Sequence, residues 1–328
     1  MKRVFAMLAA SLLLVLSSLS VSMAADGDDP LSSWNDGELK DRILAFVDAV
    51  TDPDSPDFVP VDDRIAVFDV DGTLWAERPY YLDALFAADR VAELAADNPD
   101  WADRLPFAPI VAGDYDVLNS IEGTDFIRLM NASYGDASDA EWEDIVEEWF
   151  AASANEALGR VHAENAYLPM MELLDLVMAS EFTPYLVTAA EEQFVRAVAD
   201  DIFGIPREQV IGVVMDRSLA EGEDGSLTLT RSPAVAVANE REGKAIHIFD
   251  VVGRKPILAA GNSDGDYHMM KWATSGDDTA LALLVLHDDE EREFDYARVP
   301  TLGGQALETD PEWASVSMKD AWETVFAE

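Results

Sequence analysis

Residues 64–75, Arg-Ile-Ala-Val-Phe-Asp-Val-Asp-Gly-Thr-Leu-Trp, constrain this chain more than any other stretch. Ile65-Ala66-Val67-Phe68 is apolar, too short for a helix and preceded by charge, so it reads as a buried strand of a parallel sheet. Asp69 and Asp71 follow, two residues apart, and Gly72-Thr73 turns the chain. In open α/β sheets, ligands sit at the carboxyl ends of strands. Two acids on one rigid strand end cannot both be buried as bare anions without a cation. A Mg²⁺ ion resolves this most simply, because it takes oxygen ligands and keeps waters and phosphate oxygens in its shell. The same arrangement suits phosphoryl transfer. Asp69 would attack phosphorus, and Asp71 would give a proton to the leaving oxygen and later take one from water. Thr73 offers a hydroxyl and an amide to phosphate oxygens. A surface turn or a calcium-type loop would carry the same D-x-D-G letters, and the apolar strand directly before them argues against both.

Two further strand ends have suitable chemistry. Residues 183–187 (TPYLV) read as a strand ending in Thr188-Ala189, where a hydroxyl and backbone amides entering a helix suit a phosphate oxygen. Residues 256–260 (PILAA) read as a strand ending in Gly261-Asn262-Ser263-Asp264-Gly265-Asp266, an oxygen-rich loop fit for a metal. Between them, Lys244 opens a helical run to Val252. Only six of the 22 basic residues are Lys, which makes one at a helix start informative.

In this order, the motifs resemble the haloacid dehalogenase superfamily, whose first motif is D-x-D-G-[TS]-[LV]. Asp71 matches its phosphatase version; members that dehalogenate or cleave phosphonates have another residue there. The resemblance implies that Thr188 and the Ala189 amide hold phosphate, although relatives usually have glycines where Ala189 and Ala190 stand. It implies that the Lys244 ammonium neutralises Asp69 and the transferring phosphoryl group. The family's last motif is G-D-x-x-x-D, so Asn262 takes the first position and Asp266 the second. The second acid either reaches Mg²⁺ through water or holds the Lys. Asn262 lowers the ligand charge by one, and Asp264 is placed to compensate. The metal set implied is therefore Asp69, Asp71, Asn262 and Asp266. Glu77 lies where phosphoserine-type members grip a substrate amine. Trp75, Tyr80 and Tyr81 are further substrate candidates, with packing between cap and core as the alternative for all four. The resemblance runs from Ser33 to Phe326, and the tail is similar to that of a periplasmic branch.

Residues 82–96, 124–134, 140–158 and 169–179 have helical patterns, and Ser138 with Glu141 forms a capping-box spacing. A helical block just after the first strand corresponds to a family cap, which excludes water while the core keeps the chemistry. The expected class is α/β, a doubly wound mainly parallel sheet with an inserted helical cap. Core residues are 33–79 and 181–328, and the cap is 80–180. Other expected strands are 210–215, 227–230 and 281–286, and a helix is expected at 318–326. His162 reads as a surface or packing histidine.

Met1-Lys2-Arg3, the apolar run 4–21 and Ser22-Met23-Ala24 describe a secretory signal peptide cut after Ala24, with an uncleaved anchor as the competing reading. No cysteine is present, which excludes disulfides, thiol catalysis and thiolate metal sites. Asp and Glu total 65 against 22 Lys and Arg, a net charge of −43. Such a surface repels nucleic acid and anionic membranes, and both are discarded as partners. With 49% hydrophobic residues the chain is no disordered polyanion. At molar salt the Debye length falls to ~3 Å and self-repulsion shrinks, so an exported protein of a saline habitat fits the charge. These readings converge on an exported, periplasmic or extracellular, Mg²⁺-dependent phosphomonoesterase acting on a small phosphorylated substrate. Transfer to an alcohol, another hydrolysis on this fold, and a non-catalytic metal- or phosphate-binding protein are the alternatives.

Overall fold

The computed structural model describes residues 29–328 apart from 122, 136, 223, 277–278, 297–300, 303–304 and 307–312. The expected leader, 1–24, lies outside the described residues. Helix α1 (Glu38–Thr51) leads into strand β1 (Ile65–Phe68), followed by α2 (Leu82–Leu94), α3 (Phe107–Val111), α4 (Gly123–Ser133) and α5 (Asp139–Ala152). A two-residue hairpin, β2 (Ala154–Asn155) with β3 (Arg160–Val161), precedes α6 (Leu168–Ala179). The chain continues through β4 (Thr183–Glu191), α7 (Glu192–Phe203), β5 (Val210–Glu221), β6 (Leu227–Val237) and α8 (Glu242–Val252). It closes with β7 (Leu258–Gly261), α9 (Tyr267–Ala273), β8 (Leu281–Leu286), the short pair β9 (Thr301–Leu302) and β10 (Gln305–Ala306), β11 (Trp313–Ser317) and α10 (Met318–Ala321).

Seven strands form one sheet in the order β11-β8-β7-β1-β4-β5-β6, parallel throughout except that β6 runs antiparallel to β5. The chain winds outward from β1 through β4 to β6, then returns across β1 to β7, β8 and β11. The carboxyl ends of β1, β4 and β7 therefore meet at the point where the winding reverses, which is where a crevice opens in such sheets.

Strand periodicity divides the core into two layers. Ala66, Phe68, Leu258, Ala260, Leu281 and Leu283 face the larger cluster with α1, α6 and α7. Ile65, Val67, Ala259, Ala282 and Leu284 face the other side against Ile248 of α8 and Met269 and Met270 of α9. Helices α2, α3 and α4 bury a third cluster of their own, including Ala87, Val91, Phe107 and Leu129. Helices α5 and α6, by contrast, pack into the sheet's larger cluster through Trp142, Phe150, Leu173 and Val177. The capping box forms as expected, with the Glu141 amide donating to Ser138 Oγ at 3.3 Å.

Several elements differ from the sequence reading. Helix α5 stops at Ala152 rather than 158, because the β2–β3 hairpin turns the chain back there. Strands β5 and β6 run past their expected ends at 215 and 230, pairing with each other in a long arm whose Leu219, Leu227 and Leu229 are exposed. The expected helix at 318–326 is only Met318–Ala321, and the preceding residues form β11, which extends the sheet beside β8.

His162 is a packing residue. It is 1% exposed, its ring stacks on Trp149 at 4.9 Å, Asn165 contacts Nδ1 at 3.1 Å, and Nε2 has no hydrogen-bond partner. Burial pushes it from 6.5 down to about 4, so the folded protein holds it neutral. A depressed histidine adds stability that is complete above the unfolded value and lost as pH falls through the folded one. Between pH 6.5 and 4 the protein should lose about 3 kcal/mol through this ring, judged from its shift. Denaturant titrations across that range, compared with His162→Gln, measure it; identical pH slopes for the two proteins would exclude it.

Candidate active site

The first strand ends in a tight turn. The amides of Thr73, Leu74 and Trp75 all donate to the Val70 carbonyl, at 3.2, 2.8 and 3.2 Å, and the Gly72 amide returns to the Trp75 carbonyl at 2.9 Å. Gly72 has φ +73°, and a Cβ there would stand 1.9 Å from Asn262 Nδ2, so both conformation and space demand glycine. The Asp69 amide continues the ladder by donating to the Ala260 carbonyl at 2.9 Å. Backbone geometry alone thus fixes Asp69 between β1 and β7.

Lys244, near the start of α8, is 2% exposed and reaches under this turn. Its Nζ donates to Asp69 Oδ1 at 2.5 Å, Asp266 Oδ1 at 2.7 Å and the Val187 carbonyl at 3.0 Å. Asp266 spends its other oxygen within its own loop, accepting the amides of Asn262 and Ser263 at 3.1 Å each and the Ser263 hydroxyl at 3.2 Å. Of the two roles open to it from sequence, Asp266 is placed to hold the Lys. Burial and the charge of Asp266 push the Asp69 carboxyl up, and Lys244 pulls it back. Burial alone would depress Lys244, but Asp266 and Asp69 outweigh it and hold the ammonium above the ordinary lysine range.

Asp71 is held from two sides. Trp75 Nε1 donates to Oδ1 at 2.8 Å, and the Thr188 hydroxyl donates to Oδ2 at 3.4 Å. Burial pushes the Asp71 carboxyl up, and the bonds from Trp75 and Thr188 work against that rise. Trp75, packed between Phe150 and Phe203 and fully buried, therefore supports the acid rather than the cavity wall. Thr73 is also fully buried, with its hydroxyl 3.3 Å from Asp69 Oδ2. Thr188 accepts the Ala190 amide at 2.9 Å, and β4 continues past it to Glu191, so α7 begins only at Glu192 and no helix start stands at Ala189.

A cavity of about 650 Å³ opens above these groups. Asp69, Asp71, Glu77, Tyr81, Asp83, Ala189, Lys244, Asn262 and Asp264 line it, with Ile121, Gly123 and Phe126 from the helical block. Tyr80 does not; its hydroxyl donates to Asp116 at 3.1 Å. Arg241, also on the wall, ion-pairs with Asp264 at 3.3 Å and adopts φ 52°, a conformation costly for any residue but glycine.

Sequence reading missed several supporting groups. His287, at the end of β8, places Nε2 2.8 Å from the Gly72 carbonyl and Nδ1 3.1 Å from Glu293, to which Tyr167 also donates at 3.1 Å. Asn239 donates to the carbonyls of Thr188 and Ile211, at 2.8 and 3.1 Å, tying β4 to β5 at the site. The available signal for His287 was its position directly after an apolar strand, the same signal that exposed Asp69, Thr188 and Asn262.

Comparison with known proteins identifies a family. A family model described as haloacid dehalogenase-like hydrolase matches residues 66–271. Among solved structures, a protein of unknown function from Bordetella pertussis Tohama I is 15% identical with a TM-score of 0.50, covering 77% of this chain and 97% of that one. A functionally unknown protein from Anaerococcus prevotii DSM 20548 is 17% identical with a TM-score of 0.50, covering 76% and 86%. None of the curated proteins matches the chain. With the model spanning more than half of the sequence, and with β1, β4, α8 and the loop after β7 converging on one cavity, the chain belongs to the haloacid dehalogenase-like hydrolase family.

Proposed function

We propose that this hydrolase is a phosphomonoesterase working through an aspartyl-phosphate. The observation that carries the reading is the placement of Asp69, Asp71 and Lys244 on one cavity, with Asp69 paired to the Lys and Asp71 held apart by Trp75 and Thr188. Asp69 attacks phosphorus; the bond to the ester oxygen breaks, and Asp71 gives its proton to the departing alkoxide. Asp71, now a carboxylate, takes a proton from water, whose oxygen attacks phosphorus and releases phosphate and the Asp69 carboxylate. Lys244 offsets charge on Asp69 throughout. Water as final acceptor is the reading preferred over an alcohol, since the family is one of hydrolases.

The donor set fits a hard divalent ion such as Mg²⁺. Among the described residues no three His, Asp or Glu side chains form a metal cluster by themselves. The cavity wall nonetheless carries the Asp69 and Asp264 carboxylates and the Asn262 amide, all with oxygen donors, amid an excess of acidic groups. Asp69, Asn262 and Asp264 would hold the ion, leaving Asp266 to Lys244 and Asp71 to Trp75. Bound there, Mg²⁺ supplies positive charge that offsets repulsion between phosphate and the carboxylates.

Phosphate release from p-nitrophenyl phosphate should be abolished by chelator and restored by Mg²⁺. Asp69→Asn should lower it at least ~10³-fold, and Asp71→Asn about 10²–10⁴-fold with the fold intact by circular dichroism. Full activity in Asp69→Asn would remove the nucleophile. His287→Ala, which frees the Gly72 carbonyl, should cut kcat roughly 10–100-fold with KM little changed; an unaltered kcat would show that the turn holds itself. Export is part of the same proposal, supported by the basic, apolar and small-residue succession of residues 1–24. Mass spectrometry of protein secreted by a bacterial host should find Ala25 as its first residue, and a retained Met1 in the secreted form would refute cleavage.

A further inference from the structure

The β5–β6 arm leaves the sheet with an open edge. Strand β4 pairs with β5 only as far as Val213, so from Val214 onward β5 and β6 pair with each other alone. β6 is the last strand of the sheet, and its outer side pairs with no strand among the described residues. Two strands by themselves are marginal in water. Leu219 stands opposite Leu229, and Leu227 lies two residues along, so all three share one face, where they are 55–64% exposed. Charge also singles out the outer strand. Asp and Glu make up 65 of 328 residues, yet residues 225–239, the longest acid-free run after residue 25, coincide with β6. The inner strand of the arm keeps Asp216 and Glu221. Burial keeps acids out of core strands, but most of β6 is exposed, so burial does not explain their absence here. The usual guards of an edge are charge, proline and irregular register. Arg231, the one charged residue of β6, turns its guanidinium onto the Tyr134 ring, 3.6 Å from the centroid. Pro233 falls within the register shift between Arg231 and Val235. Residues 227–231 are therefore left unguarded.

We infer that residues 227–231 of β6 are an interface for a second copy of this chain, which pairs antiparallel, edge to edge, about a two-fold axis beside Leu229. Charge selects this occupant. Two copies, each with a net charge of −43, repel one another and can approach only where acids are missing. In this register Leu229 faces the same residue of the second copy, and Thr228 faces Thr230. An axis perpendicular to the sheet keeps like faces on one side. The Leu219–Leu229 pair then becomes a row of four leucines across four strands. On the opposite face, the Ser218–Thr230 hydroxyl contact at 2.9 Å gains Thr228 as a neighbour. Cross-strand apolar and Thr–Thr pairs both stabilise a sheet. A two-fold contact consumes both edges, so association stops at two copies. Five paired residues make a small interface, and the expected dissociation constant is roughly 10–100 µM.

Sedimentation equilibrium of the full chain, over concentrations spanning that constant and at both low and molar salt, tests the interface. The average mass should rise with concentration from the monomer value toward twice it and no further. Dimerisation should be tighter at molar salt, where the Debye length is ~3 Å and the repulsion between copies is screened. Leu229→Lys sets two ammonium groups against each other at the axis and should weaken dimerisation at least about tenfold, with circular dichroism unchanged. Phe249→Lys, at a 57% exposed apolar site on α8, should leave it as in the wild type. A chain that stays monomeric at every concentration and salt overturns the interface and leaves the edge to a partner of another kind. A mass rising past the dimer, dimerisation weakened by salt, or equal constants for Leu229→Lys and the wild type also overturn it. So does an equal loss in Phe249→Lys, which would mark a general apolar effect. Should Leu229→Lys fail to fold, Thr228→Lys, on the opposite face of the strand, carries the same comparison.

Discussion

Lys244 has three ammonium protons, and three acceptors from three separate pieces of chain receive them: Asp69 after β1, the Val187 carbonyl on β4 and Asp266 in the loop after β7. A buried ion pair is weak evidence of stability, because desolvation consumes most of the Coulombic gain. What such a cluster does supply is registry. Removing the ammonium would leave two carboxylates, 5% and 0% exposed, facing each other without a cation, and removing either acid would strand part of the ammonium. Each strand end is held in place by the charge of the others. The sheet brings β1, β4 and β7 together through apolar packing, and Lys244 then fixes the side chains that packing leaves undetermined.

That division explains which parts were legible in the sequence. Strands β1, β7 and β8 are short apolar runs that a helix cannot use, and each ends in polar residues, so both the strand and its functional end could be read from the letters. Strand β11, Trp-Ala-Ser-Val-Ser, has neither an apolar run nor length, and its place beside β8 depends on a partner distant in sequence. The β5–β6 arm was undercounted for a related reason. Its outer residues satisfy backbone bonds with each other and face solvent, so no burial pattern marks them. His287 opens an acidic stretch, Asp288-Asp289-Glu290, whose letters do not tell a solvated loop from a packed one, although Asp289 and the nearby Glu293 are buried. Asp83 was hidden within a helical pattern in which an acid in the first turn needs no special explanation.

Roles were harder to read than positions. The letters that mark Asp266 as a member of a metal loop do not reveal that both its oxygens are taken, one by Lys244 and the other by the loop's own amides and hydroxyl. Nor do they reveal that Trp75, an apparent substrate-facing aromatic, turns its indole N–H to Asp71 beneath the cavity. These assignments depend on hydrogen-bond direction, which arises only once the side chains have converged.

The acidic composition bears on the site as well as the surface. Exposed carboxylates interact through water and are screened within about 10 Å at ordinary ionic strength. Those on the cavity wall are partly desolvated, and salt weakens their repulsion far less. A saline medium can therefore relieve the outer surface while leaving the cavity hostile to a phosphate dianion. Within the cavity, compensation must come from cations held in contact, as Lys244 is at Asp69. The surface and the cavity wall share a sign of charge, but only the second is set by individual residues.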